Sequence, residues 1–251
     1  MNQINIPSGW NEVLVDQFLY FMKTRETSDS FLVFEDYVQL LAALTDTLPT
    51  DDIWEDMDID ELLAEVKKIS WAKLSPTDKF SKQFGEFTIK PVETISLGEF
   101  IDLDHLFTNG YFENFTKIAG IFLRRTKENE WGSIIYEPHG SYNYEERGES
   151  ILESPITNFY GLIKYFLDFK TLINSNYEPL FEPVIIDGDN EDEYDPEEQE
   201  EIKREETFKK WAWESVLHKL SDGDITKYDR ITELPVIFIF NQLGFRKEMD
   251  L

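Results

Sequence analysis

"SPITNFYGLIKYFLDFKTLINS", residues 154–175, decides the fold. Its apolar side chains recur at Phe159, Leu162, Ile163, Phe166, Phe169, Leu172 and Ile173, the three-and-four spacing of a helix face. Ser154 followed by Pro155 supplies a cap and a first-turn proline. The spacing predicts a helix over Ile156 to Ile173. As the most apolar helical stretch of the chain, it belongs at the centre of the core.

Reading toward the N-terminus, "YFENFTKIAGIFLRRTKENEW" (111–131) carries Phe112, Phe115, Ile118, Ala119, Phe122 and Leu123 at helical spacing. Arg124 and Arg125 suit the negative end of that helix. "GSIIYEP" (132–138) is a candidate strand, and "HGSYNYEERGES" (139–150) reads as a polar loop. "GEFIDLDHLFTNG" (98–110) reads as a short helical turn stopped at Gly110. "KQFGEFTIKPVETISL" (82–97) alternates Phe84, Phe87 and Ile89, so a minor β element is expected between residues 84 and 96. Further back, Trp10, Leu14, Phe18 and Phe21 form an amphipathic stripe, a second helix is expected to stop near Pro49, and "DDIWEDMDIDELLAEVKKISWAKL" (51–74) opens with acids and leads into a third.

Toward the C-terminus, "DGDNEDEYDPEEQEEIKREE" (187–206) holds twelve acids and two bases. Nothing in it can bury, so it reads as a solvated loop or linker. Asp187, Asp189, Glu191 and Glu198 fall at calcium-loop spacing, but Asp192 stands where the turn glycine belongs and Pro196 interrupts, so the metal reading is set aside. "TFKKWAWESVLHKLSDGD" (207–224) places Phe208 and Trp211 on one helix face and Trp213, Leu217 and Leu220 on another. The last stretch, "DRITELPVIFIFNQLGFRKEMDL" (229–251), reads as a helix capped by Thr232 and stopped at Gly244; "VIFIF" alone would also make a strand, but Leu234, Ile237, Phe238 and Leu243 continue the helical spacing. No internal repeat is evident. The fold class expected is mainly α with a minor β element, as one helical domain over residues 1–251 with the acidic loop at 187–206.

Composition restricts the chemistry. The 251 residues have no cysteine, which removes disulfide and thiolate chemistry, and His105, His139 and His218 are too widely spaced for a histidine-rich metal site. Fifty-one acids against 24 bases give a formal net charge of −27, which argues against direct contact with nucleic-acid phosphates and for partners with basic or neutral surfaces. No uncharged apolar run is long enough for a membrane span, and "MNQINIPSGW" lacks the regions of a signal peptide. Asp102, Asp104 and His105 crowd three proton-transfer groups into four residues, but a helical turn that buries Phe100, Ile101, Leu103 and Leu106 leaves the two aspartates beside solvent and the cluster to the fold. Phosphate loops, nucleophile elbows and paired metal-ligand signatures are missing, so no catalytic residue, metal or cofactor is expected. The candidate partner-binding residues are the aromatics and apolar neighbours beside the acidic run, Phe208, Trp211, Trp213 and Leu217.

Taken in order, "IPSGWNEVLVDQFLYFMK", "ISLGEFIDLDHLF", "FENFTKIAGIFLRR", "ITNFYGLIKYFLDF" and "WAWESVLHKLSDGDITKYDRITELPVIFIFNQLGFRKE" resemble a family of tailed-bacteriophage tail assembly chaperones and related virion-assembly factors. The resemblance covers most of the chain and rests on apolar spacing and short phrases. It implies a mainly helical, non-catalytic protein of the host cytoplasm that binds other virion proteins, especially a long tape-measure chain, during assembly. The acidic insertion after Pro183 departs from the family. Two other readings follow from the same features: a packaged virion component, and an acidic mimic of nucleic acid that occupies a host DNA-binding protein.

Overall fold

Pro155 and Pro235 adopt the same extended geometry, φ −56° and ψ 133°, and each precedes a helical segment. Each also meets an earlier part of the chain edge to edge, Pro155 at Leu14 and Pro235 at Ser96. These two contacts organise the fold. The computed structural model describes residues 6–24, 34–45, 47, 57–177 and 212–249.

The helices are α1 (Val15–Thr24), α2 (Phe34–Leu44), α3 (Ile59–Lys68), α4 (Leu97–Thr108), α5 (Phe115–Phe122), α6 (Tyr144–Glu149), α7 (Gly161–Asn176), α8 (Ala212–Leu220), α9 (Tyr228–Thr232) and α10 (Val236–Glu248). Five short strands, β1 (Gln83–Phe84), β2 (Phe87–Ile89), β3 (Leu123–Arg124), β4 (Thr126–Glu128) and β5 (Ile134–Tyr136), form two antiparallel sheets, β1-β2-β3 and β4-β5. The fold is therefore mainly α with a minor β component. Among the described residues, no helix is long and apolar enough to cross a membrane.

Packing divides the chain into two compact units, Met1–Val92 with Leu103–Asp168, and Glu93–Asp102 with Phe169–Leu251. In the first unit, Val15, Phe18, Leu40, Leu41, Phe115, Phe122, Phe159, Leu162 and Phe166 are buried. Rings meet edge-on at Phe18–Tyr160 and Phe18–Phe112, and Phe107 lies 4.7 Å from Phe166. In the second unit, Leu97, Phe100, Phe169, Ile173, Val236, Ile239 and Phe240 are buried.

Each unit is built on the same motif. In the first, a 3-10 turn at Trp10–Glu12 leads into α1, Val15 N donates to Ser154 O at 2.9 Å, Ile156 N donates to Val13 O at 2.8 Å, and the Gln17 side chain accepts from Leu14 N at 3.1 Å. In the second, a 3-10 turn at Val92–Thr94 leads into α4, Leu97 N donates to Leu234 O at 2.8 Å, Val236 N donates to Ile95 O at 3.0 Å, and the Glu99 carboxylate accepts from Ser96 N at 2.6 Å. "VLVDQF" (13–18) thus corresponds to "ISLGEF" (95–100), and "ILESPI" (151–156) to "ITELPV" (231–236). The buried positions match as well: Val13, Val15, Phe18, Ile151 and Ile156 against Ile95, Leu97, Phe100, Ile231 and Val236. An internal repeat is present after all, carried by hydrogen-bond pattern and burial, with shared residues mainly in the second pair of segments, at Ile151/Ile231, Glu153/Glu233 and Pro155/Pro235.

The same motif corrects several expected boundaries. Residues 154–156 pair with residues 13–15, so the stretch opens extended, makes a 3-10 turn at Ile156–Asn158 and enters α7 only at Gly161. Likewise α10 starts after Pro235, not at Thr232, and continues through Gly244 to Glu248. The turn expected at 98–110 is a full helix, α4, with Gly110 just beyond it at φ 98°. α3 begins as its acids predict, with a reciprocal cap in which Asp58 accepts from Glu61 N at 2.9 Å.

Candidate interaction surface

The helix expected over 111–125 ends at Phe122, and the chain turns into strand at Leu123. Arg124 still serves the helix end, since its guanidinium donates to Gly120 O and Leu123 O at 3.3 and 3.1 Å. A cation at the last carbonyls of a helix is favourable whichever conformation follows. From Thr126 onward the chain forms the β4-β5 hairpin, with Thr126 opposite Tyr136, Lys127 opposite Ile135 and Glu128 opposite Ile134.

Asn129 builds the turn. Its side-chain oxygen accepts from Trp131 N at 3.0 Å and Ser133 N at 2.8 Å, while Asn129 O accepts from Gly132 N at 3.0 Å. Gly132 takes φ 74°, a left-handed position that a side chain would strain. This closes the loop and leaves Trp131 at the tip, 87% exposed. Ile134 and Ile135, on opposite faces of the ribbon, are 57% and 53% exposed. A tryptophan this exposed with an isoleucine on each side of its ribbon is uncommon in a surface set up only for water.

The root of the hairpin is held firmly. Glu137 N donates to Arg125 O at 3.0 Å, and Arg125 pairs with Glu86 at 2.7 Å. Arg147, from α6, pairs with Glu137 at 2.8 Å, with side chains 7% and 20% exposed, and donates to Leu123 O at 3.0 Å. The Tyr142 ring carries both guanidiniums, Arg147 at 3.6 Å and Arg124 at 4.4 Å, and Arg147 also lies 4.9 Å from the Phe87 ring. The expected polar loop at 139–150 therefore contains α6, started by Asn143, whose side chain accepts from Glu145 N and Glu146 N. α5 and α6 approach closely because Gly120 faces the Tyr144 carbonyl and Gly148 faces the Thr116 carbonyl, where any Cβ would overlap.

Electrostatics favours the charged root. Burial pushes the Glu137 carboxyl up, but the hydrogen bond and charge of Arg147, with contributions from Arg125, outweigh it and hold the group below its ordinary value. Glu86 is also held low, first by its hydrogen bond from Arg125. No family model, curated protein or solved structure matches the chain.

The residues singled out from sequence lie elsewhere. Trp213 is half-buried in the second unit, edge-on to Phe100 at 5.6 Å and Phe240 at 6.5 Å, and Leu217 is buried. Phe208, Trp211 and the acidic run 187–206 fall outside the described residues. Asp102 and Asp104, expected beside solvent, are half-buried on α4, as is Ile101, expected to face inward, and His105 is exposed with its ring beside the Asn109 amide. Of the hairpin, only the second strand is expected from the sequence, within "GSIIYEP" (132–138), because "TKENEW" (126–131) follows a helical stretch directly and carries no strand alternation of its own. Its signal was available as Asn129 and Gly132 set between a Thr-containing segment and "IIY".

Proposed function

We propose that this chain is a non-catalytic bacteriophage assembly protein, similar to tail assembly chaperones, that binds another virion protein such as a tape-measure-like client. The observation that carries the reading is Trp131, 87% exposed on a hairpin whose root is fixed by Arg124, Arg125 and Arg147. Tryptophan is the residue type most enriched among binding hot spots, and a rigid support lowers the ordering cost of using it. Exposed Glu128 and Glu130 flank it, so the fitting client site is an apolar cleft with a basic rim. The net charge of −27 serves the same task, keeping a complex with an apolar client dispersed.

Affinity capture from infected cells, with wild type and Trp131→Ser in parallel and mass spectrometry of purified particles, tests the proposal. Trp131 is so exposed that its loss should change stability by no more than about 0.5 kcal/mol. The expected result is capture of a virion protein by the wild type, its loss in the variant, and absence of the chain from finished particles. A defined copy number in particles makes it a packaged component instead. Capture of host DNA-binding proteins through the acidic surface favours the nucleic-acid mimic.

A further inference from the structure

The β4-β5 ribbon has two open edges, and they are not alike. Hydrogen bonds at the two ends of the ladder, Asn129 N to Ser133 O and Glu137 N to Arg125 O, fix its alternation. Residues 127 and 135 then face each other through hydrogen bonds, while Thr126 and Glu128 on β4, and Ile134 and Tyr136 on β5, turn their N–H and C=O groups outward. Ile134 and Tyr136 have no other hydrogen-bond partner among the described residues. Outward edges are normally protected by charge. β4 has that protection in Lys127 and Glu128, whereas Ser133 to Tyr136 on β5 bear none.

From this asymmetry we infer that β5 is an assembly edge for a second copy of this chain. Two β5 strands set antiparallel about a two-fold axis through Ile135 place Ile134 opposite Tyr136 of the other copy, twice. Those are the outward-facing residues, so four main-chain hydrogen bonds form without shifting either hairpin. On one face an isoleucine lies against a tyrosine, a favourable cross-strand pair, and on the other the two Ile135 side chains meet. Charges agree with this register. Ser133 falls opposite Glu137, no like charges are opposed along the edge, and the four-stranded sheet is bounded on both sides by the charged β4 strands. The two hairpin tips point to opposite ends, so both Trp131 rings stay free and the dimer is bivalent toward any client. A three-residue edge is far smaller than a standard interface of roughly 1,600 Å², so the dimer is concentration-dependent. Each copy carries a charge of −27, and raising the salt screens that repulsion, so association strengthens with ionic strength.

Sedimentation equilibrium of the full chain across concentration tests this. Wild type should move from monomer toward dimer mass, more so in high salt. Ile135→Glu is expected to stay monomeric, because the dimer would set two carboxylates together at the axis, while within its own hairpin the new carboxylate faces Lys127 and keeps the ribbon folded. The double variant Lys127→Glu, Ile135→Lys reverses that pair and is also expected to be monomeric. Mixing the two variants sets opposite charges at the axis and should restore dimer mass. Trp131→Ser should leave the dimer intact, which separates this test from client binding. Wild type that remains monomeric, a dimer indifferent to Ile135→Glu, or a mixture that fails to reassociate overturns the inference. In the first case the edge is left for an extended segment of another protein.

Discussion

Replacing Glu99 probes whether the repeated motif is a physical unit. The side chain is fully buried and accepts from Ser96 N at 2.6 Å, while Ser96 Oγ accepts from Glu99 N at 3.3 Å, a reciprocal cap on α4. Glu99→Leu keeps the volume but removes the acceptor. A buried N–H left without a partner costs about 1–3 kcal/mol, and losing half of the cap adds about 1 kcal/mol. The expected loss is therefore about 2–4 kcal/mol. Glu99→Gln should behave differently, because Gln17 fills the equivalent place in the first unit and accepts from Leu14 N at 3.1 Å. An amide oxygen supplies the same acceptor, so that variant should remain within about 1 kcal/mol of wild type. Urea denaturation of both variants, followed by circular dichroism, measures the difference. If glutamine is as damaging as leucine, the carboxylate acts through its charge and the equivalence with Gln17 fails. If leucine costs under 0.5 kcal/mol, roughly within the scatter of surface substitutions, the cap contributes nothing.

Arg147→Met should destabilise the first unit by about 3 kcal/mol, since it strands the largely buried Glu137 carboxylate, and adding Glu137→Gln should recover part of that loss in a double-mutant cycle. Because the folded Glu137 carboxyl lies below its ordinary value near 4.5, its contribution is present above that pH and is lost as pH falls through the folded value; acid titration of thermal stability should show this in wild type and not in Arg147→Met. Phe166→Ala, at a fully buried ring beside Phe107, should cost about 3–5 kcal/mol by chemical denaturation, and a cost below about 1 kcal/mol would place α7 outside the core.

Helix content and the central apolar stretch were legible because burial on one face imposes a period that survives any detail of packing. Phe159, Leu162, Ile163, Phe166, Phe169 and Ile173 are buried as their spacing predicts, whereas Leu172, expected on the same face, is 54% exposed. Boundaries were less legible, since they depend on partners distant in sequence. Nothing local to "SPITN" says that Ser154 O and Ile156 N are already engaged by Val15 and Val13. The repeat was hidden for a related reason: "ISLGEF" and "VLVDQF" share function at Glu99 and Gln17, but only one letter, Phe, in register. Among the candidate contact residues, Trp213 has the helical spacing of a surface anchor and packs against Phe100 and Phe240. Amphipathic spacing shows that a side chain needs cover without telling whether the cover comes from its own chain. Trp131 shows the converse, since an isolated tryptophan in a polar segment has no period to mark it.

The central claim is that the hairpin tip is where a virion partner is held. A photoreactive phenylalanine analogue at position 131, compared with the same analogue at the exposed Leu74, tests it during infection. The account predicts a crosslink to one virion protein from position 131, absent from position 74 and competed by unlabelled wild type but not by Trp131→Ser. Equal crosslinking from both positions, or none from position 131 in a folded and expressed chain, would contradict it.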